Sequence, residues 1–410
     1  MKYIYSLLFV VVVFSCKKEV KPVEEKEVER ELKSGMYRAV IDVQDNKQLP
    51  FLFEVKSDKS IVVYNAEEQI QVSDVSVANS MVHITMPVFD AHLKGRIDDK
   101  GNIEGTYEKG PNYTPVPFEA IHDIHFRYPV MAKTHQPVGG NWEVTFSPGT
   151  DNEYKAKGVF KDGDENVVTG TFLTETGDYR FLEGALDGNK LKFSAFDGAH
   201  AFYFDGEVKG DSIVNGMFYS GNHYKEPWVA IKNSTFELTD PSKLTYLKEG
   251  YDKIEFAFPD INGNQVSLKD ERFKDKAVIV QIMGSWCPNC LDESKYLSNY
   301  YKTKPEGVEF VALAFENAKE DKAVKNLKRL KERLEIPYPI LLAQTGTASK
   351  KKAAEKLPML NHVLSYPTTI FIDKKGQVQK VHTGFNGPAT RQKFLDFKKE
   401  FESLVKELGK

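Results

Sequence analysis

Residues 277–301 read AVIVQIMGSWCPNCLDESKYLSNYY, and the order of residue types in that stretch decides the last third of the chain. Ala277 to Met283 is a nearly unbroken apolar run rich in β-branched side chains, the pattern of a strand buried on both faces. Gly284-Ser285 interrupts it, and Leu291-Asp292-Glu293-Ser294-Lys295-Tyr296-Leu297 reads as a helix. The unit is strand, turn, helix, with Cys287 and Cys290 opening the helix and Pro288 at an early helical position, where its missing N–H costs nothing. On either side, strand-like Ile254–Phe258 and Val308–Ala314 alternate with helix-like stretches, which argues for an α/β body over 237–410. Phe394, Phe397, Phe401, Leu404, Val405 and Leu408 share one helical face, so the chain is expected to close with an amphipathic helix packed on that body's sheet.

Upstream the periodicity changes. From 35 to 236 short alternating runs such as Phe51–Val55 and Lys190–Ser194 are punctuated by Asp99-Lys100-Gly101-Asn102 and Leu186-Asp187-Gly188-Asn189. This is an antiparallel β region with hairpin turns. It carries a weak internal repeat: Phe89-Asp90-Ala91-His92 followed by GRIDDKGNIEGTY matches Phe196-Asp197-Gly198-Ala199-His200 followed by GEVKGDSIVNGMF. Each copy begins near a Gly-x-aromatic step, Gly35-Met36-Tyr37 and Gly140-Asn141-Trp142. A repeat of this length is too long for a solenoid, so two related β-halves, about 35–120 and 140–232, are expected in one barrel or sandwich or as two packed together, with 111–137 as the crossover. The fold class is therefore multidomain, an all-β barrel or sandwich followed by an α/β domain.

Composition limits the function. Hydrophobic residues at 41% and charged residues at 28% suit globular bodies, and a formal net charge of −3 with no basic stripe argues against a nucleic-acid partner. Residues 1–34 read as an export signal and a tether: Lys2, an apolar run from Ile4 to Phe14, Ser15-Cys16, then a segment to Lys33 of mostly Lys, Glu and Val. Val13-Phe14-Ser15-Cys16 resembles a bacterial lipobox, which implies lipidation of Cys16 and a stable membrane anchor through several acyl chains. The alternative is a plain secretory signal with a chance cysteine. By analogy with lipoprotein sorting, the lack of Asp after Cys16 favours the outer membrane, and we expect the periplasmic face.

The cysteine pair carries the chemistry. Free N–H groups and the positive end of the helix dipole stabilise a thiolate on the first cysteine, and only a thiolate attacks a disulfide. Cys287 is then the nucleophile that forms a mixed disulfide, and Cys290 resolves it. The redox-active Cys287–Cys290 pair needs no added cofactor.

From about Lys253 onward the chain resembles the thioredoxin-like superfamily and, within it, the TlpA/ResA-like membrane-tethered thiol–disulfide oxidoreductases. Trp286 stands where that family has its active-site Trp, and Glu293 matches a family acid implicated in thiol proton chemistry. Tyr366-Pro367-Thr368-Thr369 looks like the cis-proline loop, whose residue before the proline offers backbone hydrogen bonds to an extended substrate; Thr383-Gly384-Phe385 resembles the glycine loop on the same rim. The resemblance implies protein disulfides as substrates, reduction as the direction, and a membrane thiol-transfer partner as electron source. One departure stands out: thioredoxin carries a buried Asp where this chain has Gln281, which cannot take a proton at ordinary pH, so Glu293 is the expected substitute base.

Competing readings are specific. A structural zinc site needs four ligands and no second CxxC lies near, so no metal is expected. An inert disulfide across so short a loop constrains little. A thiol peroxidase would share the fold, but Ser285-Trp286-Cys287 lacks the Pro-x-x-x-Thr/Ser-x-x-Cys context. The β region could instead make the protein chiefly a ligand- or protein-binding module with a subordinate redox domain. His122-Asp123-Ile124-His125 offers metal-ligand types without a third ligand, His92 and His200 recur as equivalent places in two halves, and Lys350-Lys351-Lys352 is expected on a solvated helix face.

Overall fold

The computed structural model describes residues 29–110, 113–132 and 136–410. Among these, the N-terminal region forms two nine-stranded antiparallel sheets of matching design. In the first, strand Gly35–Asp42 pairs with its successor Gln48–Val55 and with the last strand of the half, Val116–His122. In the second, Gly140–Phe146 pairs with Tyr154–Asp162 and with the last strand, Tyr224–Lys232. The last strand returning to the first explains the sequence repeat. It also shortens the crossover: Val116–His122 is a ladder strand whose alternating Val116, Phe118 and Ala120 point into the core, although its Pro-flanked sequence reads as a connection.

The two halves are packed differently. Pairing of Lys157–Asp162 with Val168–Leu173, and of Val167–Gly170 with Leu182–Ala185, closes the second sheet on itself. Its interior is filled by Trp142, Phe146, Phe160, Phe172, Phe193, Phe204, Phe218 and Trp228, all nearly inaccessible. These rings meet edge-to-face and offset, as Phe172 does with Phe160 and Phe204, arrangements that add to their area burial. The core of the first half is completed by Phe196, Ala201, Tyr203 and Tyr219 of the second, so the halves form one continuous apolar contact.

The C-terminal body is a five-stranded sheet flanked by helices, which is the expected α/β fold. Its elements are β1 Ala277–Met283, α1 Pro288–Tyr301, β2 Val308–Phe315, α2 Glu320–Arg333, β3 Ile340–Gln344, α3 Lys350–Lys356, β4 Thr368–Ile372, β5 Val378–Thr383 and α4 Gln392–Leu408. β1, β2 and β3 are parallel, while β4 and β5 run antiparallel on the other side of β1. β1 is central and buried throughout, which is why its sequence shows no alternation. Phe397, Phe401 and Val405 of α4 are buried against the sheet, and Phe394, Leu404 and Leu408 pack partly against the same core. The stretch 254–258 is a strand only from Ala257, in a hairpin of Ala257–Pro259 with Gln265–Ser267. Ile254 and Phe256 are nonetheless buried: their alternation serves packing of an extended segment that no ladder accompanies.

Candidate active site

The turn after β1 is fixed from below. The Trp286 indole Nε1 donates to the Phe315 carbonyl at 3.0 Å. The buried Glu316 carboxylate, at the end of β2, accepts from the Ser285 N–H at 2.7 Å and from the Ser285 hydroxyl at 2.6 Å. Cys287 then caps α1: its sulfur accepts the Cys290 N–H at 3.1 Å, and Pro288 takes the first helical position. A sulfur held on a free N–H at the positive end of a helix is placed where negative charge is favoured. The same sulfur lies 3.3 Å from the Tyr366 carbonyl, to which the thiol can donate.

The two cysteines, both unbonded, occupy unlike environments. Cys290 is fully buried, and its thiol is pushed well above the ordinary range first by burial, then by the Cys287 sulfur, with the Glu293 charge adding to the effect. Glu293 is also inaccessible, and burial raises its carboxyl to about 7. Two hydrogen bonds oppose that rise: the Gln281 amide donates to Oε2 at 2.8 Å and the Thr369 hydroxyl to Oε1 at 2.7 Å. Gln281 is itself oriented by the Ser294 hydroxyl, 3.1 Å from its carbonyl oxygen. Gln281 and Glu293 are therefore one hydrogen-bonded unit beneath Cys290, in which Gln281 positions the acid.

The rim assembles from distant segments. The Tyr366–Pro367 peptide is cis, and the Gly384 N–H donates to the Pro367 carbonyl at 2.9 Å, tying the proline and glycine loops together. Gly384 adopts φ +76°, a conformation that favours glycine. Trp286 and Tyr366 meet edge-on at 5.6 Å between centroids. Thus the structure brings Trp286, Cys287, Cys290, Glu293, Tyr366, Pro367 and Gly384 into one neighbourhood. Cys16 lies outside the described residues.

Other candidates fall elsewhere. His125 pairs with Asp123 on an exposed turn, His92 with His83, and His200 with Asp197. Among the described residues no group of three His, Cys, Asp or Glu is placed to hold a metal ion. Lys350, Lys351 and Lys352 open α3 on its exposed side. Sequence reasoning missed Glu316, whose signal was a carboxylate closing the apolar run Val308–Phe315, and Thr369, which sits within the quoted proline motif. It also missed Ser365 and residues 174–180 of the second β-half, which touch the rim; nothing in their local sequence points to Cys287.

The C-terminal body is similar in sequence to known proteins. The Redoxin family matches residues 250–396. The thiol-disulfide oxidoreductase ResA of Bacillus subtilis (strain 168) is 33% identical over 34% of this chain and 69% of its own length. ResA of Bacillus thuringiensis subsp. konkukian (strain 97-27) is 30% identical over 39% of this chain and 82% of its own. A solved thiol:disulfide interchange protein of the thioredoxin family from Chlorobium tepidum TLS aligns with 40% of this chain and 99% of its own, at 24% identity and a TM-score of 0.30. With Cys287 capping the helix, a fully buried Cys290 thiol one turn on and a cis-proline rim, the chain belongs to the TlpA/ResA-like thiol-disulfide oxidoreductases of the thioredoxin-like superfamily.

Proposed function

We propose that the protein is a membrane-anchored, extracytoplasmic disulfide reductase that works through Cys287 and Cys290, anchored by lipid on Cys16 in the outer membrane and facing the periplasm. The observation that carries the redox reading is the unequal pair itself: both cysteines are buried, but the Cys287 sulfur caps the helix and accepts an N–H, whereas the Cys290 thiol is fully inaccessible and held up by burial and by its neighbours.

The steps follow from that inequality. The Cys287 thiolate attacks one sulfur of a substrate disulfide; that S–S bond breaks, a mixed disulfide forms, and the departing sulfur takes a proton. Docking against Trp286, Tyr366 and the Pro367–Gly384 rim brings the substrate sulfur in line. Glu293, poised near neutrality, accepts the Cys290 proton. The Cys290 thiolate then attacks the Cys287 sulfur, releasing the second substrate thiol and leaving the Cys287–Cys290 disulfide. Two electrons have passed to the substrate, and a membrane dithiol partner must return them.

Direction is tested by equilibrating the full-length protein in glutathione buffers and measuring the fraction of the pair that is oxidised. A potential nearer about −270 mV than about −120 mV fits a reductase, and the reverse fits an oxidase.

A further inference from the structure

The turn between Val167–Thr174 and Leu182–Asp187 belongs to the second β-half, yet its tip lies on the redox site. The Ser365 hydroxyl, next to Tyr366, donates to the Thr176 carbonyl at 2.8 Å. A Cβ added to Gly384 would stand 2.9 Å from the Thr176 carbonyl carbon and 3.0 Å from the Glu175 oxygen. A Cβ added to Gly177 would stand 2.0 Å from Asn289 Nδ2. The tip therefore touches the cis-proline loop, the glycine loop and the CxxC turn; at Gly384 a Cβ would strike backbone, and Gly177 adopts φ +143°, where glycine is favoured. Cys287 beneath is 5% exposed.

A buried latch holds the tip. Asp178 accepts the Gly387 N–H at 2.5 Å. Arg180, 3% exposed, donates through Nη1 to Asp292 of α1 at 2.7 Å and to the Pro288 carbonyl at 3.2 Å, and through Nη2 to Glu68 of the first half. Charge-assisted bonds of this kind are the strong ones. The tip itself is held by polar contact alone. Glu175-Thr176-Gly177-Asp178 brings no apolar side chain, and Asn289 Oδ1 and Asn386 Oδ1 are buried there without partners. A buried polar atom without a partner favours opening of the tip, which returns it to water. Elsewhere the bodies share apolar contact, with Phe89 and Ala199 buried in the core of the C-terminal body, so what moves is the hairpin tip and not the whole seam.

We propose that the Thr174–Arg180 hairpin is a specificity gate of the redox site: latched, it admits slim disulfides, low-molecular-weight or on extended chain, and holds off disulfides in folded protein until it swings away. The gate rests on Cys287 being the nucleophile and alters access alone; electrons still pass from two thiols to one disulfide.

Full-length wild type, Arg180→Met and Gly177→Val are compared for reduction of glutathione disulfide and of folded insulin, with circular dichroism as the check on folding. Arg180→Met cuts the latch; Gly177→Val, at φ +143° with its Cβ against Asn289, displaces the tip while removing no member of the ion cluster, so it decides the matter if the first variant misfolds. The gate requires at least about tenfold faster insulin reduction in either variant, with the glutathione disulfide rate within about twofold of wild type. An unchanged insulin rate in a folded variant, or equal acceleration of both substrates, overturns the gate while the redox reading stands. Wild type inert toward both overturns the redox reading and the gate with it.

Discussion

Replacing Glu293 with Gln removes one proton site and little else, which makes its effect calculable. The carboxyl lies fully buried between the Gln281 amide and the Thr369 hydroxyl, and burial raises it from 4.5 to about 7. The native state therefore keeps a proton that the unfolded chain has already released. Stability is flat below about pH 4.5, falls as pH rises through the window between 4.5 and about 7, and is flat again above it. The full displacement is worth about 3 kcal/mol. In Glu293→Gln this slope vanishes, at the cost of about 1 kcal/mol for the mismatched amide facing Gln281. The assay is urea unfolding of reduced wild type and variant from pH 4.5 to 8. Wild type is expected to lose about 3 kcal/mol more than the variant across that range, so that the variant is the more stable at pH 8. Parallel profiles would refute the claim that Glu293 is a buried, proton-holding carboxyl.

The remaining expectations concern neighbouring parts of the account. Glu316→Ala removes both hydrogen bonds to Ser285, and it should lower kcat toward glutathione disulfide by at least about tenfold and stability by about 3 kcal/mol, read by kinetics and denaturation. Phe401→Ala opens a hole where Tyr296, Phe310, Phe371 and Phe397 meet, and should cost about 3–5 kcal/mol in unfolding of the C-terminal body. Cys16→Ser should abolish incorporation of labelled fatty acid and move the protein from the membrane fraction to the soluble one; retention of the label would sink the anchor.

How much of this was legible depends on how local its cause is. β1, its turn and α1 are contiguous, and an apolar run followed by CxxC and a helix has few other solutions. The closing helix was readable because its apolar stripe is continuous over Phe394–Leu408. The cis-proline loop could be located because a tyrosine-proline pair precedes a buried strand. The paired ladders of the β-halves left a repeat in the sequence, but Val116–His122 hid behind its prolines and looked like a connection. The deeper half of the site is made by tertiary contact. Gln281 looked like a lost acid, whereas its amide is hydrogen-bonded to the buried Glu293 carboxylate. Residues 174–180 are mostly polar and turn-like, and what brings them to the edge of the site is a chain segment more than a hundred residues away. Ile254 and Phe256 show the converse error, alternation without a ladder.

The central claim is that Cys287 attacks and Cys290 resolves. Cys290→Ser and Cys287→Ser proteins, reduced and mixed with a disulfide peptide, should be digested and mapped by mass spectrometry. The account requires a stable mixed disulfide on Cys287 in the first variant and no adduct in the second. A mixed disulfide on Cys290 in the second variant, formed as fast as the Cys287 adduct, would contradict it.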